Sequence, residues 1–222
     1  MPGGARHRLP EDFLKSTPEP GEMVDRDLIG RDDERALLGD RLRRAIAGEG
    51  ALVLVAGEGG VGKTRLMDAL GSSTPAIVLR GAATRDATPA YGPVVAALRS
   101  YLRANPGGLD DCGPLGEHLR GLLPELGPSP DVVDTATLHE AVRCALATAA
   151  RDRGALVLLD DLQWSDAATL ELLSHLGALL SDAPLLVVGA YRSDELPREH
   201  PLRRTRTELR RRHALDGLAR AA

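Results

Sequence analysis

Aromatic side chains make up only 2% of this 222-residue chain. A folded core must therefore consist of aliphatic side chains, and the length is sufficient to bury a sizeable one. The formal net charge of −4 gives no reason to expect attraction of the whole chain to nucleic acid or to an anionic membrane.

Cysteine is also rare, since only Cys112 and Cys144 occur. They form neither a disulfide framework nor a metal-binding pattern, so we expect two reduced thiols in a cytosolic protein. The amino-terminal residues MPGGARHRLPEDF lack the apolar segment of a secretory signal, and no apolar run approaches the roughly 20 residues that span a bilayer. We therefore expect a cytoplasmic protein with no membrane partner.

The length fits one large domain, or one domain with a small appendage. Residues 1–25 carry four prolines and scattered charges, which predicts a flexible lead-in with little structure. We expect residues 26–222 to form a single domain.

The most informative stretch is residues 51–70, ALVLVAGEGGVGKTRLMDAL. Its apolar residues Leu52–Ala56 predict a short buried strand, and a helix is predicted from Arg65 onward. Between them lies a match to G-x-x-x-x-G-K-[ST], the phosphate-binding loop. The predicted phosphate-binding residues are Gly57, Glu58, Gly59, Gly60, Val61, Gly62, Lys63, Thr64 and Arg65.

The chemistry of a nucleoside triphosphate explains these residue types. Glycines let successive N–H groups point inward at the phosphates, and the helix beginning near Gly62 adds its positive dipole end. Lys63 is expected to reach the β- and γ-phosphates, and the Thr64 hydroxyl to bind Mg²⁺. The alternative is an ordinary glycine-rich turn, but the composition of 24 Gly and two Lys gives only roughly two chance matches per thousand such chains.

A second informative stretch is a buried strand predicted at Ala155–Leu159, which ends in two carboxylates. In a phosphate-loop protein, a carboxylate at this place lies near Mg²⁺ and orients a metal-bound water. We assign Asp160 to the metal and Asp161 to polarising the attacking water. The alternative is a solvated loop in which Ser165 or Asp166 merely caps the next helix.

A third apolar strand is predicted at Leu185–Ala190, with Arg192 two residues beyond it. This arginine should lie at the carboxyl ends of the strands, where nucleotides bind in such sheets. It can contact the γ-phosphate and distinguish ATP from ADP. The alternative is a surface ion pair with Asp194 or Glu195.

The remaining pattern predicts helices and short strands in alternation. We expect residues 82–130 to be the least regular part of the domain. The predicted elements are a helix at 36–46, a strand at 76–79, a loop at 82–92, helices at 94–103, 115–126, 135–151 and 166–180, and a final edge strand beginning near 215.

Seven arginines lie within residues 198–212. Such a cluster can contact a phosphate, an acidic partner or nucleic acid. No aromatic residues interleave with it, and two glutamates dilute its charge, which favours a solvated helical face. No other stretch offers a helix-turn-helix, so no DNA-binding motif is predicted in this chain.

Together these motifs resemble the ATPase domain of the STAND class of signal-transduction ATPases. The similarity is greatest to the large LuxR-type bacterial transcription regulators, whose domain is also described as Orc1-like AAA. The segments that carry it are LIGRDDE at 28–34, GEGGVGKTRL at 57–66, LVLLDDLQWSDAATLELL at 156–173 and LLVVGAYRSDEL at 185–196.

The resemblance implies an α/β P-loop NTPase fold, with a parallel sheet of about five strands and helices on both faces. It implies that the strand before Arg192 lies between the phosphate-loop strand and the acidic strand, and that Arg31 lies close to the nucleotide. From the chemistry of these motifs, the expected catalytic residues are Asp161, Lys63 and Arg192, and the expected ligands are ATP or ADP with Mg²⁺.

Family members act as switches that are closed with ADP and open, often self-associating, with ATP. Their lid, sensor and DNA-binding parts do not fit within these residues, so we expect an excised or truncated nucleotide domain whose partners are further copies or absent sensor and effector domains. Slow hydrolysis is expected. The alternatives are a small P-loop kinase, with its acceptor pocket in residues 82–130, and an inactive fragment that acts only through partner binding. A GTPase is disfavoured because the single asparagine, Asn105, has no adjacent lysine to form the guanine-reading Asn-Lys-x-Asp loop.

Overall fold

A computed structural model describes residues 31–86, 89–130 and 134–211, together with the backbone of 215–221. The lead-in predicted for residues 1–25, and the first three residues of the segment at 28–34, lie outside these residues. Within the described residues, no helix combines the length and apolar character that crossing a membrane requires.

Five parallel strands form one sheet in the order β2-β3-β4-β1-β5. The predicted α/β fold is confirmed, and β4 lies between β1 and β3 as the family resemblance implied. The strands are β1 at Ala51–Gly57, β2 at Ile77–Ala82, β3 at Ala155–Asp160, β4 at Leu185–Arg192 and β5 at Leu215–Ala221.

Helices cover both faces of this sheet, as predicted. The α-helices are α1 at Asp32–Ile46, α2 at Lys63–Ser72, α3 at Gly92–Ala104, α4 at Thr135–Ala150, α5 at Ala167–Leu179 and α6 at Pro201–Arg211, with 3-10 turns at Asp110–Gly121, Pro124–Leu126 and Leu162–Trp164.

The sheet separates two aliphatic cores, because successive side chains of a strand point to opposite faces. On one face, Val53 and Val188 pack with Leu38 of α1 and Leu66 of α2. On the other face, alternate strand residues join the larger core formed with α3, α4, α5 and α6. The strands buried on both faces are the near-continuous apolar runs of the sequence.

The region from 82 to 130 differs from its predicted form. Strand β2 continues to Ala82, and the helix expected at 115–126 is a succession of 3-10 turns. The backbone reverses at Gly113, where φ is 58°, and Pro114 follows without an amide hydrogen. Within 115–126 itself, Gly116 and Gly121 disfavour a helical backbone and Pro124 lacks the amide hydrogen that an α-helix interior needs.

The segment after the acidic strand also differs, since the 3-10 turn at Leu162–Trp164 precedes α5. The Asp166 side chain accepts a hydrogen bond from the Thr169 N–H at 3.0 Å and so caps α5. The capping alternative is therefore correct for Asp166. It does not affect Asp160, which ends β3 six residues earlier.

Helix α6 buries its apolar side, including Leu202 and Leu209, and turns its arginines outward. Arg203 donates to the carbonyl oxygens of Leu196 and Pro197, while Arg204 forms an ion pair with Glu208. Much of the arginine cluster is thus a solvated helical face, as the sequence favoured; Arg212 lies outside the described residues. Cys112 and Cys144 are free thiols.

A tight backbone approach fixes the start of β1, the strand that leads into the phosphate loop. A Cβ on Gly50 would overlap the carbonyl oxygens of Leu180 and Ala183. We expect Gly50→Ala to lower the free energy of unfolding by about 1–3 kcal/mol, since two fixed backbone groups must move. Urea-induced unfolding measures this change.

Gly39→Ala is the matched control, because a Cβ there meets only the flexible end of Arg43. Gly39 lies inside α1, and alanine is favoured over glycine in a helix by roughly 1 kcal/mol. The control should therefore be more stable than the original chain. Equal effects of the two substitutions would contradict the packing described for Gly50.

Candidate nucleotide-binding site

The loop between β1 and α2 forms a concave surface of backbone N–H groups. Gly60 and Gly62 have φ angles of 78° and 85°, and open space lies where their side chains would be. Among the described residues, no hydrogen bond uses the N–H groups of residues 59–64. Together with the amino-terminus of α2, these free donors suit a bound phosphate group.

A cavity of about 440 Å³ lies over this loop. Most of the residues predicted from sequence meet there, although they come from four separate parts of the chain. Gly57, Glu58 and Gly59 are not part of its wall. The lining residues are Arg31, Gly60, Val61, Gly62, Lys63, Thr64, Arg65, Asp160, Asp161 and Arg192.

Lys63 lies at the base of the cavity and is only 7% exposed. Its ammonium group donates to the carbonyl oxygens of Gly57 at 2.9 Å and Glu58 at 2.8 Å. Burial, and secondarily the positive charge of Arg192, lowers the pKa of Lys63. A phosphate beside this group would stabilise its charged form and gain charge-assisted hydrogen bonds.

Thr64 and Asp160 face each other across the cavity. The Thr64 hydroxyl donates to Asp160 Oδ2 at 2.6 Å, while Asp160 Oδ1 accepts the N–H of Asp161 at 2.8 Å. A hydroxyl and a carboxylate are hard oxygen ligands, and Mg²⁺ typically takes one or two of these from protein and the rest from phosphates and water. The pair therefore fits magnesium held beside a nucleotide.

Asp161 adopts an uncommon left-handed backbone conformation, with φ at 55°. Aspartate tolerates this region better than most residues. Its carboxylate accepts a hydrogen bond from Gln163 Nε2 at 2.9 Å and lies 3.6 Å from Arg192 Nε. Both contacts are made by Oδ1, and Asp161 lines the cavity, so its carboxylate can orient a water there.

For Arg192 the sequence suggested either a place at the nucleotide or a surface ion pair, and the structure contains features of both. Its Nη1 forms an ion pair with Glu195 at 2.8 Å, and its side chain also lines the cavity. The guanidinium carbon of Arg192 lies 5.6 Å from the centre of the Trp164 ring. The guanidinium carbon of Arg85 lies 5.9 Å from the same ring centre. Arg192 thus joins the cavity wall to a cluster of charged and aromatic groups behind it.

Gln163 is a site residue that sequence reasoning missed. It is 4% exposed, and its amide donates to Asp161 and accepts the backbone N–H of Arg192 at 3.0 Å. The backbone carbonyl oxygen of Gln163 lies 2.8 Å from His200 Nε2. The available signal was its position as the chain's only glutamine, set between the acidic pair and Trp164. It connects the carboxyl ends of β3 and β4.

The comparison with known families agrees with this geometry. Residues 27–188 match the family described as AAA ATPase domain. This chain belongs to that family. The matched segment carries the phosphate loop and the Thr64–Asp160 pair, so the AAA domain is a nucleotide-binding ATPase fold. No curated protein matches the sequence.

Three solved structures are similar to this AAA domain. A Walker-type ATPase of Pyrococcus abyssi is 18% identical with a TM-score of 0.44, over 78% of this chain and 50% of that one. Drosophila ORC bound to AT-rich DNA and Cdc6 is 11% identical with a TM-score of 0.45, over 84% of this chain and 56% of that one. Trip13 of Rhizobiales is 14% identical with a TM-score of 0.33, over 86% of this chain and 62% of that one. The AAA domain thus spans between half and two thirds of these chains.

The contacts of Gln163 lead to a stability prediction. We expect Gln163→Leu to lower the free energy of unfolding by about 1–3 kcal/mol, because the buried N–H of Arg192 loses its acceptor. Urea unfolding at neutral pH measures this. An unchanged stability would mean that these hydrogen bonds do not hold the two strand ends together.

Gln163→Glu is the matched variant, since it keeps the shape and the acceptor but places a second carboxylate beside Asp161. The two negative charges should make it less stable than the original chain at neutral pH. The difference should shrink near pH 4, where the new carboxyl is largely protonated.

Proposed function

We propose that this AAA domain is a Mg²⁺-dependent ATP-binding switch that hydrolyses its nucleotide slowly. The observation that carries the proposal is the meeting, in one cavity of about 440 Å³, of the phosphate loop, the Thr64–Asp160 pair and Arg192. These parts are what a triphosphate, its metal and a γ-phosphate contact need. Residues 26–222 would act as one domain.

In this proposal, the loop at residues 57–65 holds the phosphates, with the free N–H groups of residues 59–64 as donors, and Lys63 contacts the β- and γ-phosphates. Thr64 and Asp160 hold Mg²⁺, which neutralises phosphate charge when bound. Arg31, which precedes α1 and lines the cavity, would also contact the nucleotide. ATP or ADP is the expected ligand, since the sequence has no guanine-reading loop.

Asp161 is the proposed base. Its Oδ1 accepts a hydrogen bond from Gln163 at 2.9 Å and lies 3.6 Å from Arg192 Nε. These contacts hold the carboxylate in place through one oxygen, so the other can orient an attacking water. Slow hydrolysis is part of this proposal because of the family resemblance.

The switching role rests on Arg192. In the structure it is paired with Glu195 and lies near Asp161. A γ-phosphate would compete with both carboxylates, whereas ADP would leave these pairs intact. Because the Arg192 N–H is bonded to Gln163, a change at this residue reaches the ends of both strands.

We therefore propose a role as the nucleotide module of a signal-transduction ATPase of the STAND type, as in LuxR-type regulators. Its partners would be further copies or separate sensor and effector domains. The family match favours this over the small-kinase alternative. The presence of all the phosphate-binding parts in one cavity favours this role over that of an inactive fragment.

Loss of the Lys63 ammonium should weaken nucleotide binding. We expect Lys63→Ala to reduce Mg-ATP affinity by roughly 10- to 150-fold, because each charge-assisted contact contributes about 1.5–3 kcal/mol. Calorimetric titration with Mg-ATP, Mg-ADP and Mg-GTP measures this. Selectivity for the adenine nucleotides is expected in the original chain.

Arg210→Ala controls for the loss of a positive charge, since Arg210 is exposed on α6. It should bind Mg-ATP as the original chain does, and circular dichroism should show that Lys63→Ala keeps its fold. Unchanged affinity in Lys63→Ala would overturn the phosphate-loop assignment.

The two adjacent carboxylates should separate binding from hydrolysis. We expect Asp160→Asn to lose most of the magnesium dependence of ATP binding, because an amide is a weaker ligand for a hard cation. Asp161→Asn should bind Mg-ATP normally yet release phosphate at least about tenfold more slowly, as expected for a lost base. Titrations with and without Mg²⁺, and a phosphate-release assay, measure the two effects. Identical behaviour of the variants would contradict the separate roles.

A further inference from the structure

A second and larger cavity, of about 880 Å³, lies beside the nucleotide cavity at the β2 edge of the sheet. Its wall is formed by α2, the end of β2, α3 and the 3-10 turns after α3. Thr64 and Asp160 line both cavities. Its volume is in the range of about 300–1,000 Å³ that is typical of small-molecule sites.

Most of the cavity wall is aliphatic. Met67 comes from α2 and Leu158 from β3, while Val95, Ala96 and Leu122 come from α3 and the turns. Gly81 lets α3 pack closely on β2, since a Cβ there would overlap the carbonyl oxygen of Pro93. The wall would therefore suit the apolar body of a small molecule.

Three arginines interrupt this apolar wall, and two of them are fixed in place. Arg80 forms an ion pair with Asp68 at 2.6 Å. Arg99 makes two hydrogen bonds to Glu125, at 2.6 and 3.1 Å, which tie α3 to the turn at Pro124–Leu126. These pairs fix the two side chains at the cavity wall, where each remains 44% exposed to solvent.

The third arginine, Arg103, lies one helical turn after Arg99 on the same face of α3. Among the described residues it has no ion-pair partner. The cavity therefore combines an apolar wall with one exposed arginine that pairs with no described carboxylate, and with the Asp160 carboxylate where it meets the nucleotide cavity. An anionic group on a ligand would supply the missing negative partner of Arg103.

We propose that this cavity binds a small organic molecule with an apolar body and a single anionic group, which Arg103 and Arg99 receive. The cavity meets the phosphate loop at Thr64, but Lys63 and the glycines of that loop do not line it, so a ligand there does not occupy the phosphate position. It does share a wall with the proposed magnesium ligands.

Anilinonaphthalene sulfonate is a suitable probe, because it has an aromatic body and one sulfonate. Fluorescence titration of the full chain should give one dye per chain. Arg103→Gln should weaken binding by about two- to fivefold, the size expected for one exposed ion pair. Arg210→Gln should bind the dye unchanged. Phenylnaphthylamine, which has the same rings without the sulfonate, should not distinguish Arg103→Gln from the original chain.

Ala96→Phe tests the location, since it fills the cavity from the half-buried face of α3. We expect it to weaken dye binding at least about tenfold, and thermal unfolding should show that it folds. Ala82→Leu fills the cavity from the end of β2 and should act in the same direction. Lys63→Ala should keep dye binding, so a failure of the proposed nucleotide site leaves this test intact.

Three results would overturn the proposal. The first is equal dye binding by the original chain and by both filling variants. The second is loss of the dye in Lys63→Ala, or its stoichiometric displacement by Mg-ADP, which would assign it to the nucleotide cavity. The third is dye binding that follows self-association in sedimentation experiments, which would make this face a contact between copies.

Discussion

The hydrogen bond from Thr64 to Asp160 joins residues that are 96 positions apart in the chain. It is possible only because β1 and β3 run in the same direction, so that the loop after β1 and the carboxylate ending β3 reach the same edge of the sheet. Strand β4 lies between them and brings Arg192 opposite Gly57. One constraint, parallel pairing around β4, therefore assembles the phosphate loop, the acidic pair and the arginine.

The parts of this site that could be predicted are those that leave a local signature. The glycine spacing before Lys63 is a backbone requirement of the loop itself, and it is visible without knowledge of the fold. The position of Asp160 in the cavity wall is predictable because an apolar strand ending in a carboxylate has few other uses after such a loop. The position of Arg192 is predictable by the same reasoning, although its pairing with Glu195 depends on how the chain turns after β4.

The parts that could not be predicted depend on side chains from distant elements. Gln163 has no spacing rule, since its contacts to Asp161 and Arg192 exist only once β3 and β4 are adjacent. The large cavity was missed for a similar reason: its walls come from α2, β2, α3 and irregular turns. Periodicity predicts faces of helices and strands, but it carries little information about 3-10 turns that a glycine such as Gly113 interrupts.

The position of Trp164 has a spectroscopic consequence. It is the chain's only tryptophan, and guanidinium groups of Arg85 and Arg192 approach its ring from two different segments. Indole emission is sensitive to nearby charge, so a displacement of either arginine alters the local field at the chromophore. The intrinsic fluorescence of the unlabelled protein would therefore report a displacement of Arg192, which also lines the nucleotide cavity.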